Sequence, residues 1–66
     1  MNDSKLARLR KERGMTQAQL AEKAGIHPLI ISKIERGERS VNNLRLTSAL
    51  ALADALRVDP RQLIDE

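Results

Sequence analysis

The stretch TQAQLAEKAGIHPLIISKIERG, Thr16 to Gly37, decides the fold. Thr16 is followed three residues later by Gln19, the spacing of a capping box in which side chain and backbone at a helix start satisfy each other's spare N–H groups. A helix over Gln17 to Ala24 follows, burying Leu20, Ala21 and Ala24. Gly25 ends it, and Ile26 and His27 make the turn. Pro28 suits the first position of the next helix, where a missing N–H costs nothing. That helix runs to about Arg36, with Ile31 and Ile34 three apart on one face, and Gly37 terminates it. Two short helices joined by a tight turn are therefore written into twenty-two residues.

Upstream, Ser4 or Asp3 can cap a first helix with Leu6 and Leu9 facing inward and Arg and Lys facing out, stopped at Gly14. Downstream, Asn42 or Asn43 can cap a fourth helix ending near Leu56, in an Ala- and Leu-rich stretch of strong helix formers. Its alternate start is Thr47 or Ser48, after a longer loop. Asp59-Pro60 opens a last short helix over Arg61 to Ile64. No segment alternates with a period of two. The pattern predicts an all-α, compact five-helix bundle filling residues 1–66 as one domain, with no linker, repeat or low-complexity tract.

Composition narrows the function classes. A chain of 66 residues buries only about 60% of the surface its unfolded form exposes, so its core is marginal. It holds no cysteine and one histidine, His27, which excludes a disulfide framework and a thiolate zinc site and leaves no metal or cofactor to expect. The absence of aromatics argues against single-strand modules that stack bases. With neither a signal-peptide core nor a bilayer-length apolar run, a cytoplasmic chain with no membrane partner is expected. The net charge of +3 is unevenly spread. Residues 5–45 hold ten Lys or Arg against four Asp or Glu, whereas residues 46–66 hold two against four. One face for an anionic partner and a neutral-to-acidic end for something else fit this split; a merely solvated surface fits it too.

Helices over 17–24 and 28–36 with a three-residue, glycine-initiated turn have the form of a helix-turn-helix, whose second helix can lie in the major groove of DNA. An αα-hairpin of this kind can also be purely structural. The segments LARLRKERGMTQAQLAEKAGI, ISKIERGERS and LADALRVDPRQL go further. Their joint pattern of Arg10, Arg13-Gly14, Thr16-Gln17, Leu20-Ala21, Gly25, Ile31-Ser32, Ile34-Glu35 and Gly37 resembles the helix-turn-helix family of phage repressors, Cro proteins and xenobiotic-response-element-type bacterial regulators. The resemblance covers about residues 5–64. It implies a lambda-repressor-like DNA-binding domain, binding operator DNA usually as a dimer, and no enzymatic activity.

Carried over residue by residue, the resemblance places Gln17 at the phosphate-contacting start of the second helix. Arg36, Arg39, Asn42 and Asn43 match a second backbone-contact region. Pro28, Leu29, Ser32 and Lys33 match the base-reading positions, with His27 at the cap. Arg10 and Glu35 match a structural ion pair between helices one and three, and the dimer surface falls near Val58, Leu63 and Ile64. Leu29 departs from the polar residue usual at its position; a methyl-rich side chain there can pack on the thymine C5-methyl group. Ile30 also departs, and reads as the edge of the core. Arg57 stands where a glycine is usual after helix four, so its turn is expected to be strained or differently built. The stretch from Gly37 to Leu56 is about three residues longer than in many relatives, which lengthens either helix four or the loop before it.

The expected function is therefore a sequence-specific, double-stranded DNA-binding transcriptional regulator, a homodimer on a near-palindromic operator. An antitoxin of a toxin–antitoxin pair or a restriction–modification controller is the alternative, with a protein partner (a toxin or polymerase) on exposed Leu29 and Ile30. Catalysis has no support: His27 lacks a partner group, and no Gly-rich phosphate loop is present. If the chain is whole, it has no room for a sensing domain, and control by concentration through the monomer–dimer equilibrium is expected.

Overall fold

The computed structural model describes residues 4–63, and these form a compact body 25 × 24 × 21 Å. The α-helices are α1 (Lys5–Glu12), α2 (Gln17–Ala24), α3 (Pro28–Glu35) and α4 (Leu46–Leu56). Two 3₁₀ turns, Val41–Asn43 and Pro60–Gln62, complete the order, one before α4 and one after it. α2 packs against both α3 and α4, α1 lies against α3, and the last 3₁₀ turn packs against α4. Leu6, Leu20, Ile31, Leu52, Leu56 and Leu63 are fully buried where these elements meet. With no aromatic ring available, the core is made of branched aliphatic side chains and alanine.

The start signals act locally. Ser4 Oγ accepts from the Ala7 N–H at 3.0 Å and caps α1. At α2 both halves of the capping box form: Thr16 Oγ1 accepts from the Gln19 N–H at 3.1 Å, and Gln19 Oε1 accepts from the Thr16 N–H at 2.9 Å. His27 Nδ1 accepts from the Leu29 N–H at 3.0 Å, one place after which Pro28 opens α3.

The end of the chain differs from the five-helix expectation. Among the described residues there are four α-helices, and the segment after Pro60 is a single 3₁₀ turn. Its bonds run from Gln62 N–H to Asp59 O at 2.8 Å and from Leu63 N–H to Pro60 O at 3.0 Å. This tighter winding delivers Leu63 into the core at 1% exposure after only three residues. Ile64 lies outside the described residues.

Helix four also starts elsewhere than at Asn42 or Asn43. Ser40 Oγ takes the Asn42 N–H at 3.0 Å, and buried Val41 pins a 3₁₀ turn there. Leu44 and Arg45 are then extended, so α4 begins at Leu46 with no side-chain cap and encloses Thr47 and Ser48.

All four helices end with paired 6→1 and 5→2 backbone bonds around a left-handed residue. Three use glycine; α4 uses Arg57 at φ 58°, with Val58 N–H on Ala53 O at 3.0 Å and Arg57 N–H on Asp54 O at 3.1 Å. The turn is built like the others, with an L-residue in a conformation that glycine holds more cheaply. Arg57→Gly is therefore expected to stabilise the fold by about 0.5–1 kcal/mol, the left-handed strain relieved less the unfolded-state freedom glycine adds. A rise of a few degrees in the thermal midpoint would show it; a fall would mean that the arginine side chain holds something glycine cannot.

Candidate nucleic-acid interface

α3 presents two unlike faces. Ile31 and Ile34 are buried against α2 and α1, and half-buried Ile30 packs along the edge of the same core. On the other side Pro28 and Leu29 are exposed, and Ser32 and Lys33, one turn on, are half-buried. These positions share one face of the helix at i, i+1, i+4 and i+5. Leu29 is 51% exposed, a large apolar side chain held at the helix tip by the His27 cap on its own N–H. The four sequence-predicted base readers are thus brought together as one outward surface.

The other candidates follow α3 in the chain. Arg36 is exposed and its Nε sits 3.0 Å from Glu38 Oε2, so its charge is shared at the surface. Arg39 is half-buried and makes no ion pair among the described residues. Asn42 and Asn43 are exposed on the 3₁₀ turn.

The orientation of α3 is set by a cluster beneath it. Arg10 of α1 grips Glu35 of α3 with two bonds, Nε to Oε2 at 2.7 Å and Nη2 to Oε1 at 3.0 Å, while its Nη1 donates to Met15 O at 2.7 Å. The side chains are only 12% and 8% exposed. Gln17 Nε2 adds a third donor to Glu35 Oε1 at 2.9 Å. Burial pushes the Glu35 carboxyl up, but the Arg10 and Gln17 hydrogen bonds, with the Arg10 and Lys11 charges, outweigh it and hold the group below its usual value. One carboxylate thereby ties α1, the start of α2 and the end of α3.

Three residues take places that sequence reasoning did not give them. Gln17 is part of the Glu35 cluster, a role 18 residues distant in sequence. Arg13 Nε donates to Leu56 O at 2.8 Å, closing a carbonyl at the end of α4. Leu63, expected on a dimer surface, is 1% exposed within its own chain's core, so it is unavailable to a second copy. Val58 is half-buried against the same core. The exposed large apolar residues besides Leu29 are Leu46, at 73%, and Leu50, at 44%. Among the described residues no cluster of His, Asp or Glu could hold a metal ion, and no helix is long and apolar enough to cross a membrane.

The two-helix unit and the helices around it match known proteins. A family model described as helix-turn-helix matches residues 6–63. The chain belongs to that helix-turn-helix family. It is 36% identical over 61 residues to the uncharacterized HTH-type transcriptional regulator y4dJ of Sinorhizobium fredii, covering 92% of this chain and 75% of that protein. The restriction–modification controller protein C.AhdI from Aeromonas hydrophila superposes with a TM-score of 0.79 at 37% identity, over 91% of this chain and 86% of the other. SinR of Bacillus subtilis, the master regulator for biofilm formation, solved in complex with DNA, gives a TM-score of 0.81 at 32% identity, over 91% and 92% of the two chains. As a member of this helix-turn-helix family the chain is a DNA-binding transcriptional regulator and not an enzyme.

Proposed function

We propose that the chain binds double-stranded DNA sequence-specifically as a homodimer on a near-palindromic operator, with α3 in the major groove. The exposed face of Pro28, Leu29, Ser32 and Lys33 carries this reading, since its helix is anchored from below by the Arg10–Glu35 pair. Arg36, Arg39, Asn42 and Asn43 flank it as backbone contacts. At the head of α2 the Gln17 and Ala18 N–H groups have no partner among the described residues, and a helix start of this kind suits a phosphate, which keeps Gln17 in the contact set through its main chain. Two copies would set their α3 helices roughly 34 Å apart, one turn of B-DNA.

Selection of bound duplexes from a random pool tests the proposal. Enrichment of a near-palindrome with half-sites about one helical turn apart supports it; recovery of no sequence above background, with binding lost steeply in salt, would reduce the chain to a basic helical surface. The same experiment reads Leu29. Its side chain ends in methyl groups and can make no hydrogen bond, so it distinguishes bases by contact with the thymine methyl. Leu29→Ala is expected to lose about 1 kcal/mol of preference for thymine at one position in each half-site, with stability unchanged because the side chain is exposed. A folded variant with the wild-type sequence preference would remove Leu29 from the readers. The likeness to C.AhdI favours one second reading, control of a restriction–modification system. An enriched operator located upstream of such genes would assign it.

A further inference from the structure

We infer that the dimer is formed by the exposed flank of α4, pairing with α4 of a second copy of this chain across a two-fold axis. This rests on the homodimer reading above and names its surface. Leu46 and Leu50 are one turn apart on the outer side of α4, 73% and 44% exposed. Beside Leu46 lies a shallow apolar hollow lined by Val41, Asn42, Leu44, Leu46 and Ala49. Leu50 stands outside that hollow. The patch therefore carries both a projecting leucine and a recess for one, which is what a two-fold interface requires of a single surface: what one copy offers, the other accepts, twice.

The charges agree. Leu46 to Ala53 contains no ionisable residue, so this face has nothing to draw a phosphate, in contrast to the basic region before it. Arg45 sits at the start of α4 and Asp54 near its end; both are exposed, and neither makes an ion pair among the described residues. Antiparallel pairing of two α4 helices about a point near Ala49 and Leu50 brings the Arg45 end of one copy to the Asp54 end of the other, at both ends of the contact. A patch with a knob, a hole, a free cation and a free anion is complementary to itself. A toxin or polymerase would have no reason to meet that symmetry. The hollow shares Val41 and Asn42 with the 3₁₀ turn proposed to meet the DNA backbone, so the two contacts adjoin there, with Asn43, outside the hollow, left to the phosphate.

Sedimentation velocity from about 1 to 500 µM, on the wild-type chain and on surface variants, tests the inference. The wild type is expected to dimerise. Leu50→Glu and Leu46→Glu each place two charges in the contact and are expected to weaken association at least tenfold, with helical circular dichroism retained since both side chains lie outside the core. Arg45→Asp alone and Asp54→Arg alone are expected to weaken it, and the double variant Arg45→Asp/Asp54→Arg to restore it, because both ion pairs are then rebuilt in reverse. A wild-type dimer unaffected by either leucine substitution would overturn this surface and leave the homodimer reading standing. A wild-type chain monomeric throughout the range would overturn both.

Discussion

Glu35→Ala is expected to lower the thermal midpoint by at least roughly 12 °C and to leave a substantial unfolded fraction at 37 °C. The carboxylate accepts two bonds from Arg10 and one from Gln17, and removing it strands a guanidinium that is 12% exposed with Met15 O as its remaining acceptor in the cluster. Breaking one side of such a pair costs about 3–5 kcal/mol, because a charge taken from water loses the partner that compensated it. A domain of this size holds only about 3–10 kcal/mol in total, and each kcal/mol is about 4–8 °C here. The companion variant Arg10→Met/Glu35→Leu removes both charges. It is expected to recover most of the loss, since a pair replaced by packed apolar groups is often neutral. A Glu35→Ala midpoint within about 2 °C of the wild type would show that the cluster is too wet to matter.

The same carboxylate sets a pH dependence whose sign is fixed. Its folded value lies below its usual one, so the unfolded state binds a proton more readily. The stabilisation is complete above the unfolded value of about 4.3 and is lost as pH falls through the depressed folded value. Glu35→Gln should flatten the wild-type decline in that acid window and nowhere above it. Asp59 is also held low, by its hydrogen bonds from the Arg61 side chain and backbone, but it lies at the surface and belongs to the background both proteins share.

How much of this was legible depended on the range of the interaction. The α2 box lies within four residues, so Thr16 and Gln19 announce it, and Pro28 and the helix-ending glycines are equally local. The fourth helix shows the opposite. Asn42 and Asn43 are good caps in isolation, but Ser40 captured the Asn42 N–H first, and Val41 had a core site to fill. Its apolar residues run nearly all round, so periodicity gave no clue that Leu46 and Leu50 face out while Leu52 and Leu56 face in. Leu63 could be assigned to a surface only because nothing nearby in sequence reveals a core that other helices assemble. Gln17 with Glu35 and Arg13 with the Leu56 carbonyl, 18 and 43 residues apart, are invisible to local patterns. The resemblance supplied positions for the interface, and the structure supplied how exposed those side chains are.

For the interface as a whole, affinity for DNA is expected to fall roughly a hundredfold between 50 and 200 mM salt. Arg36 and Arg39 from each copy give four cations at the proposed backbone contact, and each phosphate neutralised contributes about −0.9 to the slope of log affinity against log salt, hence roughly −3.6 for the dimer. Arg39 isolates the effect, because it has no ion pair among the described residues to exchange for a phosphate. Arg39→Ala should weaken the selected operator and an unrelated duplex of equal length alike and flatten the slope by about 2, one contact in each half of the dimer. Arg36 behaves differently, since Glu38 at 3.0 Å competes for it. Glu38→Gln frees that cation and should tighten both duplexes while steepening the slope. An Arg39→Ala loss confined to the operator would instead place the guanidinium on a base, in the groove beside Lys33, where it reads sequence and holds no phosphate.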